Sequence, residues 1–207
     1  KGRITKMYHM EKQLAKGMTY TEYGALINNL LALGKTTSGD QSADYLNYTK
    51  LNLQRMRRLE KTIELTPELK SSIHLITGTY TWFVLTEGWC GDAAQNLPVL
   101  EKIEKESQGH IVLKLLLRDQ NLELMNNYLT HGNRSIPKLI CIDNQTSQEI
   151  FTWGPRPAQL QNLVMELKSK SVSSEEKSLL VQKWYNADKT ASLQNELATL
   201  ILNFLSA

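Results

Sequence analysis

Residues 87 to 93 read E-G-W-C-G-D-A, and they place one of the chain's two cysteines, Cys90, between Trp89 and Gly91. The apolar run Tyr80 to Thr86 precedes it and a helix-like segment, Ala93 to Glu106, follows. A cysteine at such a junction directs its sulfur at the free N–H groups and the positive end of the helix, which favours thiolate over thiol. Asp92 acts in the opposite direction: its carboxylate opposes ionisation of Cys90 while being itself favoured by the helix start. The chemistry open to such a sulfur is attack on a disulfide. A peroxide reaction is less well supported, because Thr86 lies four residues before Cys90 and is out of register for a T-x-x-C site.

Other residue groups carry less. His9, His74, His110 and His131 share no ligand spacing with one another or with a cysteine, so no metal site is expected. Gly34-Lys35-Thr36 follows a helix, and the glycine a phosphate loop needs is Asn29, so it reads as a helix stop. The run Arg55, Arg57, Arg58 and Lys61 reads as a solvated helix face. Trp82, Trp89 and Trp153 either line a cleft or pack in the core.

The elements that must position Cys90 follow from periodicity. A helix from Met18 to Gly34 has capping-box spacing at Thr19 and Glu22, and a longer one from about Gln41 to Ile63 places Leu46, Leu53, Met56, Leu59 and Ile63 on one face. A short third helix starts at Pro67. These first seventy-odd residues show no strand signal. Strand-length apolar runs then appear at Tyr80 to Thr86, Ile111 to Leu117, Lys138 to Asp143 and Glu149 to Trp153, with helical patterns at Ala93 to Glu106, Leu122 to Leu129 and from Pro157. After a polar break at Ser171 to Ser174, two amphipathic helices carry Leu179, Leu180 and Trp184, then Leu193, Leu197, Leu200, Ile201 and Phe204.

The chain has 207 residues, 41% of them hydrophobic and 22% charged, with no apolar run long enough for a membrane span. A soluble protein with no membrane partner is expected. A formal charge of +3 is too small to indicate a nucleic-acid partner. Two distant cysteines make no disulfide framework, which points to a cytoplasmic location.

At this point the chain resembles a known family. E-G-W-C-G-D-A is similar to the thioredoxin active-site segment, in which a tryptophan precedes C-x-x-C at a helix start. Lys114 to Asn121 resembles the thioredoxin third strand and its exit, Arg134 to Pro137 the segment around its cis-proline, and Trp153 to Pro155 the glycine turn before the last helix. The four segments keep thioredoxin order and spacing over about residues 76 to 168. The resemblance implies that Cys90 is the nucleophile, Trp89 its apolar shield, and Ile136-Pro137 a cis peptide whose edge pairs with an extended substrate, with Gly91 and Trp153 also facing it.

Three departures qualify that. The second cysteine is Ala93, so no internal disulfide forms; the usual proline is Asp92; and the buried aspartate of thioredoxins falls on Val84, leaving Glu87 the nearest replacement. Cys141 lies four strand residues beyond Pro137, about 13 Å away, and reads as a core cysteine. The expectation is an α/β thioredoxin-like domain over residues 76–168, with helical extensions at 1–75 and 169–207 that pack on it or make a homodimer contact. The function expected of it is monothiol exchange through Cys90, with protein or small thiols and disulfides as partners and no cofactor. The rival reading is a non-catalytic module that binds an extended partner along the Ile136 edge and the tryptophan cleft.

Overall fold

The computed structural model describes residues 16–206; His9 and the rest of the extension before residue 16 lie outside the described residues. From Tyr20 onward three helices precede the first strand: α1 (Tyr20–Ala32), α2 (Ala43–Thr62) and α3 (Pro67–His74). There follow β1 (Tyr80–Thr86), α4 (Gly91–Glu106), β2 (Ile111–Leu117), a 3-10 turn at Arg118–Gln120, and α5 (Leu122–Met125). The chain continues through β3 (Lys138–Asp143), β4 (Glu149–Trp153), α6 (Ala158–Ser169), α7 (Ser174–Asp188) and α8 (Ala191–Leu205).

The strands form one mixed sheet in the order β2-β1-β3-β4. All seven residues of β1 are buried, which is why its sequence is a continuous apolar run, and it lies between parallel β2 and antiparallel β3. A parallel pair needs a crossover connection, and α4 supplies it. β4 returns antiparallel to β3 through a turn in which Asp143 Oδ1 accepts from the N–H groups of Gln145 and Thr146, at 2.8 and 2.7 Å. Because β1 is central, its carboxyl end and the residues that follow open at the middle of the sheet edge, where α4 begins.

Two expectations are corrected. The N-terminal region does contribute to the sheet, since Met18 exchanges backbone hydrogen bonds with Leu115 at 2.9 and 2.7 Å and extends the β2 edge by one bridge. The helix expected over Leu122 to Leu129 stops at Met125; the side chain of Asn127 bonds back to Glu123 O at 3.2 Å, a local contact that competes with helical continuation.

Both flanking regions share the central core. Tyr23, Ile27, Met56, Leu59, Leu69 and Ile73 from α1 to α3 pack in one cluster with the strands, and α8 adds Leu193, Leu197 and Ile201. Phe204 of α8 lies 5.0 Å from Tyr80 and 6.0 Å from Phe151, centroid to centroid. α7 is attached differently: Tyr185 is its one buried residue, and it joins Leu160 and Val164 of α6 in a satellite cluster. Among the described residues no helix is long and apolar enough to cross a membrane.

Candidate active site around Cys90

β1 ends at Thr86, and Glu87, Gly88 and Trp89 form the turn into α4, closed by the Cys90 N–H donating to Glu87 O at 3.0 Å. Cys90 is the N-cap of α4: its Sγ accepts from the Ala93 N–H at 3.4 Å, and its carbonyl accepts from the Ala94 N–H at 3.1 Å. The thiol donates to the Ile136 carbonyl at 3.3 Å. The Ile136–Pro137 peptide is cis, as is Gly154–Pro155. Gly154 has φ +107°, and a Cβ there would come within 2.3 Å of Pro137 O, so only glycine lets this turn pass so close to the proline loop. Residues 86–94 and the Ile136–Pro137 loop thus meet at the sulfur, and the Gly154–Pro155 turn backs the proline loop.

That sulfur is not in open water. Cys90 is 7% exposed and its pKa is pushed up to about 12, by burial first and by the Asp92 charge second; the Ala93 N–H and Arg156 pull the other way. The helix start therefore acts in the expected direction and is outweighed. Cys90 rests as a neutral thiol.

Asp92 is the centre of a network that sequence reasoning missed. Its Oδ2 accepts from both Nε (3.2 Å) and Nη2 of Arg156, and its Oδ1 accepts from the Tyr185 hydroxyl at 2.8 Å. Asn96 donates to the Asp92 carbonyl at 2.9 Å and to Tyr185 Oη at 3.2 Å. α7 is thereby fastened across the first turns of α4. No local pattern marks Tyr185, and the one signal at Arg156 is its place directly after the W-G-P segment.

Helix α2 walls the other side. Asn52 donates to Gly88 O at 3.1 Å, the Gly88 N–H donates to Thr37 Oγ1 at 3.0 Å, and Tyr45 meets the half-buried Trp89 ring edge-on at 5.2 Å. The Arg118 guanidinium lies 4.9 Å from the Trp89 ring centroid, a cation–π contact. Of the basic run expected on a solvated face, Arg57, Arg58 and Lys61 are exposed, but Arg55 turns in toward Gly91. Glu87 is fully buried, with Oε1 accepting from the Asp119 N–H at 2.9 Å and Oε2 without a partner; burial raises its pKa.

Of the residues expected to meet substrate, Cys90, Trp89, Gly91, Asp92, Ile136 and Pro137 lie along one loop-and-helix junction. Trp153 is committed elsewhere: it is 6% exposed and its indole N–H donates to Glu196 of α8 at 2.6 Å. Trp82 is a core residue, 1% exposed, opposite Cys141 in the β1–β3 register. Cys141 is fully buried, and both cysteines are free.

Comparison with known proteins agrees with this fold. A crystal structure of a protein of unknown function from Pseudomonas aeruginosa superposes with a TM-score of 0.55 at 15% identity, covering 90% of this chain and 98% of that one. An HIV epitope-scaffold superposes equally well, at TM-score 0.55 and 14% identity, covering 90% and 99%. At that identity the likeness is one of fold. No curated protein matches. The family described as Thioredoxin matches residues 38–171, a span that takes in α2 and α3 as well as the sheet. The chain belongs to the thioredoxin family.

Proposed function

We propose that the protein is a monothiol exchange catalyst working through Cys90. The observation that carries the reading is the seat of Sγ, between the Ala93 N–H of the helix start and the Ile136 carbonyl of the proline loop, with an alanine where a second thiol would be. In the first step Cys90 loses its proton and attacks one sulfur of a disulfide. The substrate S–S bond breaks, a Cys90–substrate disulfide forms, and the other half leaves as a thiolate that takes up the proton. An external thiol then attacks the mixed disulfide, releases the second half joined to itself, and returns Cys90 to the thiol form. Ala93 cannot do this from within. A well-placed internal thiol acts at an effective molarity of up to about 10⁵–10⁸ M, whereas external thiols are present at about millimolar levels.

Ala93→Cys tests the reading, because residue 93 already touches the sulfur through its N–H. The variant should form an internal disulfide and reduce insulin at least tenfold faster than the native chain. The burial of Cys90, 7% exposed, favours a second reading, a binding module that holds an extended partner along the Ile136 edge, because it pushes the thiol pKa up to about 12 and leaves little thiolate at neutral pH. If Ala93→Cys closes its disulfide and still reduces insulin no better than Cys90→Ser, the groove does not admit disulfides and the binding module is correct.

A further inference from the structure

The arginines around Cys90 are not all neutralised. Arg156 is paired with Asp92, and Arg118 with Asp119, at 2.8 Å from both Nε and Nη2 to Oδ1. Arg55 and Arg134 meet only neutral oxygens: Arg55 Nη1 donates to Asn52 Oδ1 at 3.0 Å and Arg134 Nε to Asn126 Oδ1 at 2.9 Å. Neither has a carboxylate within ion-pair distance among the described residues. Arg55 and Arg134 are thus without an acid partner among the described residues, and the acid of the Cys90 turn, Glu87, has its pKa raised by burial.

Arg55 is the informative one. Its Nη1 lies 3.6 Å from where a Cβ on Gly91 would stand, so the guanidinium rests against the residue that follows the nucleophile. It is half-buried, and burial followed by repulsion from Arg58 holds its pKa below the usual guanidinium value. A cation drawn partly out of water without an anion is costly, and a carboxylate offsets that cost with two parallel charge-assisted hydrogen bonds. Asn52 occupies one N–H and at the same time holds Gly88 O, so the fork is oriented at the Cys90 loop rather than swinging in solvent.

Resting on the exchange reading above, we propose that Arg55 is a specificity-determining residue that takes a carboxylate, so that the disulfide exchanged at Cys90 is an anionic one with its carboxylate close to the reacting sulfur. Exchange itself is as written above; Arg55 transfers nothing and acts by holding the anion. The test compares three small disulfides on the full chain: dithiodipropionate with two carboxylates, neutral hydroxyethyl disulfide, and cystamine with two ammonium groups. The rate of mixed-disulfide formation at Cys90 is read by intact mass, and each rate is divided by that of free mercaptoethanol with the same probe. The expected order is dithiodipropionate, hydroxyethyl disulfide, cystamine, with the spread narrowing in salt. Arg55→Gln should lower the ratio of the first to the second about tenfold, the scale of one charge-assisted contact, and Arg55→Lys should recover part of it. An unchanged ratio in Arg55→Gln, or equal loss with all three probes, overturns the inference and leaves Arg55 a structural residue. No adduct at Cys90 with any probe defeats the exchange reading and this inference together, whereas adducts without charge preference defeat only this one.

Discussion

Burial is the larger cause of the raised Cys90 pKa and Asp92 the second, and two partners set what the Asp92 charge can do. That charge raises the thiol pKa, Arg156 offsets part of it, and Tyr185 fixes the carboxylate by hydrogen bonding to Oδ1. Asp92→Asn removes the like-charge repulsion and leaves the Arg156 cation beside the sulfur, so both changes favour the thiolate. Iodoacetamide should label Cys90 in this variant several-fold faster than in the native chain at about pH 8. The same change strands a largely buried guanidinium, and unfolding in urea should show a loss of up to about 3–5 kcal/mol. Unchanged labelling would mean that burial alone sets the pKa. Cys90 and the proline loop were readable from the chain because each lies in a short segment similar to a family pattern, and Asp92 because it stands where that pattern has a proline. Arg156 and Tyr185 were not, since they reach Asp92 from 64 and 93 residues away and their types are ordinary on a surface.

The four strands occupy the ranges their apolar runs indicate, most sharply at β1, where burial on both faces leaves a continuous apolar signal. Periodicity gave less where an element is held by few contacts: α5 ends early, and the Met18 bridge has no pattern to announce it. The two C-terminal helices differ in the same way. Leu197 of α8 is fully buried against the central core, while Leu179 of α7 is 64% exposed. Leu197→Ala should therefore cost about 2–5 kcal/mol in urea unfolding, and Leu179→Ala less than about 0.5 kcal/mol. Equal small effects would show that α8 is an appendage, and that Glu196, which links Trp153 and the Ala158 N–H to α8, ties down nothing essential.

At the scale of the whole molecule the buried thiols make stability depend on pH. Cys90 and Cys141 both have pKa values pushed up to about 12, chiefly by burial, whereas a thiol in the unfolded chain titrates near about 8.5. The folded state thus keeps protons that the unfolded state releases, so stability is complete below about pH 8 and falls as pH rises toward 12. The slope is about 1.4 kcal/mol per pH unit for each group, with the raised tyrosines Tyr20, Tyr23 and Tyr185 contributing above about pH 10. Urea midpoints at about pH 8 and 10 should diverge, and replacing both cysteines by alanine should shrink the difference; an unchanged difference would mean that these thiols ionise freely in the fold. The central claim, that Cys90 is a single-thiol exchange centre resting in the neutral form, is tested most directly by incubating the native chain with hydroxyethyl disulfide and following its intact mass. The account predicts one adduct per chain, mapped to Cys90, absent from Cys90→Ser, removed by mercaptoethanol, and forming about tenfold faster for each pH unit from 7 to 9. No adduct on the folded chain, equal modification of Cys141, or a rate that levels off near pH 7 would contradict it.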